Sequence, residues 1–254
     1  MHHLPAQSGL DSVLVLDADV SPSLAVVRSL GRMGLTIDVA AHISDPLSRY
    51  SRYTARSWQY PDPLEYPDRF IKWIEQQLAG ERYRLIIPVT ERTAIAMLEL
   101  LEQPDYRRRI ALPEPQVLRL ALDKARTVKL AQSVGVRCPD SYLLERIEQL
   151  AAIPDQWHFP VVLKPVRSIA SKRHKSQSKS QCKSEPLSVQ YADSQTQLIR
   201  LAEQLLDWGP VLIQALVRGE SHGIEVIAEH GQIQAVFQHQ RLHEVPLSGG
   251  GSSL

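Results

Sequence analysis

The stretch Phe159-Pro160-Val161-Val162-Leu163-Lys164-Pro165-Val166 decides the fold of this chain. It is a short apolar run bounded by prolines, which predicts a buried strand. A lysine within a buried strand is costly unless an anion or a carboxylate meets its ammonium group, so Lys164 is expected to have such a partner. The alternative is a lysine at a sheet edge, whose stem packs while its ammonium group reaches water.

Three further stretches flank this strand. Upstream lie Leu120-Ala121-Leu122-Asp123-Lys124-Ala125-Arg126-Thr127 and Gly135-Val136-Arg137-Cys138-Pro139; downstream lies Val211-Leu212-Ile213-Gln214-Ala215-Leu216-Val217-Arg218-Gly219-Glu220. In their order and spacing these stretches resemble the ATP-grasp superfamily, in its carboxylate-amine ligase branch with a carbamoyl-phosphate-synthase-like layout. The resemblance extends over nearly the whole chain, from about residue 13 to residue 254.

The resemblance implies a reaction and a set of site residues. ATP would phosphorylate a small carboxylate substrate, and an amine substrate would displace phosphate from the acyl phosphate. Lysines would contact the nucleotide phosphates, backbone groups of a strand would read the adenine edge, and a glutamate would accept from a ribose hydroxyl. The implied ATP-binding residues are Lys124, Lys164, Gln214, Ala215, Leu216 and Glu220, and the implied catalytic residue beside the transferred phosphate is Arg241. For Lys124, the alternative is an exposed helical lysine.

The fold class follows from hydrophobic patterning together with the resemblance. Residues 13–16 and 36–40 are apolar strands around an amphipathic helix, which Ser21 is expected to cap and Gly34 to end. This βαβ unit predicts an α/β protein with a parallel sheet. The resemblance makes it a Rossmann-like pre-ATP-grasp domain followed by an incomplete α+β ATP-grasp domain. The expected segments are a disordered leader 1–11, the Rossmann-like domain 12–113, a helical connector 114–136, a first ATP-grasp subdomain 137–208 with a mobile loop 168–185, and the start of a second subdomain 209–254.

Polar residues follow one strand of the first domain. The apolar run at 85–89 is followed by Thr90, Glu91 and Arg92. Open α/β sheets bind ligands at the carboxyl ends of their strands, so these three residues are candidates for a ligand site. The alternative is that Thr90 only caps the following helix. The helix after them is expected to run through Leu101. The first strand-helix turn lacks a G-x-G-x-x-G sequence, so a dinucleotide site is not favoured. Residues 48–56 carry three arginines and two tyrosines, but a surface loop is favoured over a nucleic-acid contact.

Composition narrows the partners and the compartment. The chain has 254 residues with 29 basic and 28 acidic side chains, a net charge of +1 that gives no reason to expect nucleic acid. Two cysteines are too few for a disulfide framework, and no apolar run is long enough to cross a membrane. A soluble cytoplasmic protein is therefore expected. A homo-oligomer is possible, since the sequence does not decide the oligomeric state.

The resemblance implies magnesium, yet residues 1–254 lack a recognisable set of metal ligands, and no metal-binding residue is assigned. The serine- and lysine-rich loop 168–185 lacks the glycines whose amides usually bind phosphates at this position of the family. Two interpretations of the loop remain: a lid over the triphosphate, or an insertion without a catalytic role. A fragment or a degenerate member is expected, without turnover in this form. The alternative function is a non-catalytic module that binds a nucleotide or a metabolite.

Overall fold

The computed structural model describes residues 12–80, 82–152, 158–171, 184–186, 188–245 and 251–252. The chain divides into two compact units, residues 1–215 and residues 216–254. Among the described residues, no helix is both long and apolar enough to span a bilayer.

The first unit begins with a parallel four-stranded sheet. Its strands are β1 (Ser12–Val15), β2 (Thr36–Ala41), β3 (Thr54–Gln59) and β4 (Leu85–Ile87), in the order β3-β2-β1-β4. The helices of this region are α1 (Ser21–Arg32), α2 (Pro67–Ala79), α3 (Glu91–Ala96) and α4 (Pro104–Arg107). The chain moves outward from β1 to β3 and then returns to β4 on the other side of β1. This reversal makes the space between β1 and β4 the topological switch point of the sheet.

Alternating side chains of β1 supply two hydrophobic cores. Leu14 is fully buried in a cluster with Phe70 and Ile74 of α2, whereas Val13 and Val15 pack with Val27 of α1. Successive side chains of a strand point to opposite faces of the sheet, so both faces of β1 are covered by helices. The predicted α/β class with a parallel sheet is confirmed.

Three local predictions in this region are wrong. Ser21 is the first residue of α1 and does not cap it; Val20 occupies the cap position, and no side chain bonds there. The surface loop predicted at 48–56 contains a 3-10 helix (Leu47–Tyr50) and the start of β3, an edge strand. The helix predicted to run through Leu101 ends at Ala96, and a separate 3-10 helix (Leu100–Glu102) follows.

Two helices connect the sheets of the first unit. Helix α5 (Pro115–Ala121) and helix α6 (Lys124–Ser133) meet at Asp123, within the segment predicted to be a helical connector. The Asp123 carboxylate accepts a hydrogen bond from the Arg126 amide at 3.0 Å and caps α6.

An antiparallel sheet completes the first unit. Its strands are β5 (Ser141–Leu144), β6 (Val161–Pro165), β9 (Gln190–Ala192) and β10 (Val211–Ala215), in the order β5-β10-β6-β9. Helix α7 (Gln195–Leu206) packs on one face, and its Leu198 and Leu201 share a core with Leu163. Strands β7 (Ile169–Ser171) and β8 (Ser184–Pro186) pair with each other. Residues 172–183, most of the loop predicted to be mobile, lie outside the described residues.

The second unit is built on a hairpin of β11 (His222–Glu229) and β12 (Gln232–Gln240). His230 and Gly231 turn it with φ angles of 49° and 76°, the two positive values that a tight two-residue hairpin turn requires. Two short strands, β13 (Glu244–Val245) and β14 (Gly251–Ser252), pair with each other. The domain boundaries given by the sequence analysis stay predictions.

Candidate functional site

Lys164 lies on an interior strand of the antiparallel sheet, between β10 and β9. Its neighbours Leu163 and Pro165 are buried, and Leu163 faces the core formed with α7. Because side chains alternate along a strand, Lys164 projects from the opposite face of the sheet. It is half-buried, and burial lowers the pKa of its ammonium group; repulsion from Lys124 lowers that pKa further.

Lys124 reaches the same place from the first residue of α6. Its amide donates to the Val166 carbonyl at 3.0 Å, which ties the start of α6 to the end of β6. Its Nζ donates to the Ser168 hydroxyl at 2.8 Å. Burial lowers the pKa of Lys124, while the carboxylates of Glu91 and Asp123 act in the opposite direction. The structure therefore brings Lys124 and Lys164 together, in an arrangement that favours a bound polyanion.

Gln214 lies on the same face of the sheet as Lys164. In the β6–β10 ladder, Leu212 is opposite Lys164 and Gln214 is opposite Val162. These four side chains therefore share one face of the sheet, and the core residues between them point to the other face. Gln214 is 4% exposed, and its Nε2 donates to the Ser141 hydroxyl at 2.8 Å. The Ala215 amide donates to the Asp140 carbonyl at 2.9 Å. The role of Ala215 toward the adenine base stays a prediction.

Leu216, Glu220 and Arg241 belong to the second unit. Within it, Gln240 Nε2 donates to Glu220 Oε2 at 3.2 Å, and the Arg241 amide donates to the Ser221 carbonyl at 2.7 Å. Glu220 and Arg241 thus lie near each other, at the end of the hairpin away from its turn. Their roles toward ribose and phosphate, and that of Leu216 toward adenine, stay predictions.

A cavity of about 290 Å³ lies at the switch point of the parallel sheet. Residues of the β1 and β4 ends and of the segment after β6 line it: Asp17, Asp19, Val20, Thr90, Glu91, Arg92, Ser168 and Ile169. Ser168 connects the cavity to the lysine pair, because its hydroxyl accepts from Lys124 Nζ. The residues singled out after β4 thus lie at a cavity. Thr90 precedes α3 without a capping bond from its side chain, so helix capping does not explain it.

Asp17 closes the switch point and is 2% exposed. Its Oδ2 accepts from the amides of Val89 at 3.0 Å and Thr90 at 2.8 Å, and from the Thr93 hydroxyl at 2.6 Å. The Tyr60 hydroxyl donates to Oδ1 at 3.2 Å. Burial, reinforced by the Asp17 charge, raises the pKa of Tyr60 above its ordinary value, so that hydroxyl keeps its proton. Asp17 therefore joins the ends of β1 and β4.

A cluster of charged and polar side chains extends from the cavity along the carboxyl ends of the strands. Arg92 Nη1 lies 2.9 Å from His42 Nε2, 3.1 Å from His42 Nδ1 and 3.6 Å from Asp62 Oδ2. His42 Nδ1 is 4.0 Å from Asp19 Oδ1. Sequence reasoning found Arg92 and missed His42, Asp62 and Asp19. Asp19 and His42 follow the ends of the predicted strands β1 and β2, so the signal for them was present, whereas Asp62 follows β3, which was not predicted.

The described residues do not fit a magnesium site, since they contain no group of three or more His, Cys, Asp or Glu side chains placed to hold a metal ion. The fit to a polyanion is better, because two half-buried ammonium groups lie close together.

No protein-family model matches the chain, and no curated protein matches it by sequence. Solved structures do match. An L-amino acid ligase from Bacillus licheniformis has a TM-score of 0.63 at 12% identity, covering 91% of this chain and 49% of its own. N5-carboxyaminoimidazole synthetase from Staphylococcus aureus, complexed with ADP, has a TM-score of 0.62 at 12% identity, covering 92% of this chain and 55% of its own.

Carboxyaminoimidazole ribonucleotide synthase from Aspergillus clavatus, complexed with ATP, has a TM-score of 0.61 at 13% identity, covering 93% of this chain and 56% of its own. The chain therefore spans about half the length of the solved proteins it matches. At this identity the match concerns the fold alone, which the chain shares with these ligases and synthetases.

Proposed function

We propose that this chain binds ATP, with the phosphates at Lys124 and Lys164, as part of a carboxylate-amine ligase. The observation that carries the proposal is the convergence of the two lysines. Each is half-buried, each has a lowered pKa, and burial is the main cause in both. Holding two like charges together in a half-buried place is unfavourable without a compensating anion. A triphosphate supplies that compensation.

The sheet that carries Lys164 supports the same ligand. Its face opposite α7 presents Lys164 together with the Gln214 and Ser141 side chains, which form a hydrogen-bonded pair at 2.8 Å. A nucleotide lying along this face would place its phosphates at the lysines and its base toward Gln214 and Ala215. The Aspergillus clavatus protein of the same fold is complexed with ATP, which also favours a nucleotide.

The switch-point cavity would then hold the substrate. It borders the lysine pair through Ser168, so a carboxylate in the cavity would lie near the terminal phosphate. Lys124 and Lys164 would neutralise charge on the transferring phosphoryl group, and the cavity would hold the carboxylate in line with it. The acyl phosphate formed would react with an amine, with phosphate as the leaving group.

The test is calorimetric titration of ATP into purified protein. A hydrogen bond to a charged group contributes about 1.5–3 kcal/mol, so Lys164→Ala and Lys124→Ala should each weaken ATP binding about tenfold or more. Lys129→Ala is the matched control, because Lys129 is exposed on the same helix as Lys124. Unchanged ATP affinity in both lysine variants would show that the phosphates bind elsewhere.

A further inference from the structure

Strand β3 is the last strand of the parallel sheet, and its outer edge has no partner strand among the described residues. In a strand, the N–H and C=O groups of one residue point to the same side, and those of the next residue point to the other side. The Tyr60 amide donates to the Ala41 carbonyl of β2 at 2.9 Å, and Gln59 is the register partner of Ala41. The backbone groups of Gln59 and Ser57 therefore face away from β2 and are free to bond another chain.

A groove with a volume of about 400 Å³ runs along this edge. It is lined by Ser44, Arg49 and all residues of β3, Thr54–Gln59. The connection between β2 and β3 forms its other wall and is tied to both ends of the strand. Thr54 Oγ1 donates to the Ser48 carbonyl at 2.7 Å, and Gln59 Nε2 donates to the His42 carbonyl at 2.9 Å. A strand of this length spans about 20 Å, so the groove matches an extended chain rather than a compact ion.

The groove is positively charged, since two arginines line it and no acidic residue does. Arg56 makes no hydrogen bond or ion pair with any residue that the structure describes. Arg49 has one acidic neighbour, Asp45, at 3.5 Å. The Asp45 carboxylate also accepts from the Tyr50 hydroxyl at 2.7 Å. The Arg56 guanidinium group therefore offers its fork of donors to a carboxylate from outside.

The side chains of Arg56 and Trp58 lie on one face of the sheet, because they are two residues apart on a strand. Asp38 of β2 lies on the same face, but it is 4% exposed and already occupied. Its Oδ2 accepts from Trp58 Nε1 at 3.1 Å and from the Tyr83 hydroxyl at 2.7 Å. The Arg82 guanidinium group lies 5.5 Å from the centre of the Trp58 ring and adds a second positive charge. A side chain added beside this face would meet two guanidinium groups and an indole ring.

We propose that the outer edge of β3 binds an extended acidic segment of another protein as a further strand of the sheet. The backbone groups of Ser57 and Gln59 form the new ladder, and an acidic side chain on the exposed face pairs with Arg56. A second copy of this chain does not suit the edge, because its groove carries the same arginines and no acid. This inference does not depend on the proposed function.

The edge also has features that select its partner. The register between β2 and β3 shifts after Ile37, so β3 carries an irregularity opposite the start of β2. Charged side chains and bulges on edge strands discourage unselective pairing. An edge with an unpaired arginine admits a strand of opposite charge and rejects a basic one.

Four probes separate strand pairing from attraction between charges. They are the peptide acetyl-Glu-Thr-Glu-Val-Glu-Thr-amide, the same peptide with lysine for glutamate, the acidic peptide N-methylated at every residue, and inorganic phosphate. Each is titrated into the millimolar range at low ionic strength with the full chain, and backbone amides are followed by NMR. We expect only the unmodified acidic peptide to slow hydrogen exchange at the Ser57 and Gln59 amides. The N-methylated peptide keeps the carboxylates and lacks the backbone donors, so it should not bind.

Two variants test the two kinds of contact. Arg56→Gln should weaken binding of the acidic peptide about threefold to fivefold, the effect of losing an exposed ion pair. Arg28→Gln is the matched control, because Arg28 is exposed on α1 and lies outside the groove. Ser57→Pro removes an outward N–H that takes no part in the ladder with β2, so it should abolish binding and leave the melting temperature near that of the wild type. If Ser57→Pro does not fold, Arg56→Gln and the N-methylated peptide decide the question.

Several results would overturn the inference. They are no binding of the acidic peptide, equal binding of the lysine or the N-methylated peptide, and equal affinity in Arg56→Gln and Arg28→Gln. Protection of the same amides by phosphate would show a site for a compact anion instead. A dimer in analytical ultracentrifugation, with the Ser57 and Gln59 amides protected before any peptide is added, would assign the edge to a second copy of the chain.

Discussion

At the scale of the residue, Lys164 shows a conflict between binding and stability. Burial lowers the pKa of its ammonium group from the ordinary value of 10.5. The unfolded chain therefore binds more protons than the folded chain between the lowered pKa and 10.5, so the free energy of unfolding rises with pH in that window. Below this window Lys164 is charged in both the folded and the unfolded chain, so the whole cost of burying its ammonium group lowers the free energy of unfolding.

This argument predicts that Lys164→Met stabilises the protein at neutral pH and impairs its binding of ATP. The melting temperature of the variant should exceed that of the wild type at pH 7, and the difference should shrink as the pH approaches 10.5. Thermal unfolding across this pH range is the measurement, with Lys129→Met as the exposed control. A melting temperature lowered at pH 7 would mean that Lys164 has a compensating anion within the protein.

Asp17 is predicted to be a structural residue. In Asp17→Asn, one of the two carboxylate oxygens becomes an amide nitrogen, which cannot accept. The variant therefore loses either the three bonds to Oδ2 from Val89, Thr90 and Thr93 or the bond to Oδ1 from Tyr60, and the bonds that remain lose the carboxylate charge. Asparagine tolerates the positive φ of 53° at this position, so the backbone does not complicate the comparison. We expect a loss of about 2 kcal/mol in denaturant unfolding. Asp19→Asn, two residues along the same loop, should change stability little.

Sequence reasoning identified the lysines more readily than the acids. Lys164 interrupts an apolar run, and that interruption is visible in the sequence. Asp17, Asp19, His42 and Asp62 each stand in turns, where polar residues are ordinary. Their significance depends on which strand ends are adjacent, and adjacency is a property of the sheet order β3-β2-β1-β4.

At the scale of the element, helix α1 and the segment before β3 are fitted closely at Gly31. A methyl group added to Gly31 would overlap the Cβ and Cγ atoms of Tyr53, which are the base of that side chain and cannot swing away. Replacing a glycine within a helix by alanine generally increases stability, because alanine has the higher helix propensity. At Gly31 the overlap with Tyr53 is expected to make the same substitution destabilising.

Gly31→Ala should therefore destabilise the protein by about 1–3 kcal/mol, the usual cost of overpacking. Gly80→Ala is the matched control at the end of α2, where φ is −74° and the nearest atom to an added methyl group is the Gln76 oxygen at 3.4 Å. That variant should be neutral or slightly stabilising. Chemical denaturation measures both, and the double variant Gly31→Ala with Tyr53→Ala should recover part of the loss.

Predictability from sequence differs among the elements for a physical reason. Strands β1, β6 and β10 are buried on both sides or centrally placed, so they appear as apolar runs. Strand β3, Thr-Ala-Arg-Ser-Trp-Gln, lies at the sheet edge with most side chains exposed, and it shows no apolar alternation. Its pairing to β2 depends on backbone hydrogen bonds, which every sequence offers, so composition could not reveal it.

At the scale of the whole molecule, the two units differ in how their strands are stabilised. In the first unit, β1, β6 and β10 carry fully buried side chains that pack against helices. In the second unit, the hairpin exposes one apolar face, with Ile224, Ile233 and Val236 at 64%, 67% and 63% exposure. Ile224, Val226 and Ala228 are alternate residues of β11 and therefore point to one face of the hairpin. Val236 lies opposite Val226 and Ile233 lies opposite Ala228, so both belong to the same face.

We therefore predict that the second unit opens locally without global unfolding. A two-stranded hairpin is marginally stable in water when its faces are not packed, and local opening needs less free energy than global unfolding. In hydrogen exchange followed by mass spectrometry, peptides from β11 and β12 should exchange well before peptides from β6 and β10. The control is Ile224→Thr with Val236→Thr, which keeps β-branched side chains but removes apolar exposure; it should leave the exchange of β6 and β10 unchanged. Equal protection of the hairpin and the central strands would contradict the prediction and would show that the exposed face is packed in solution.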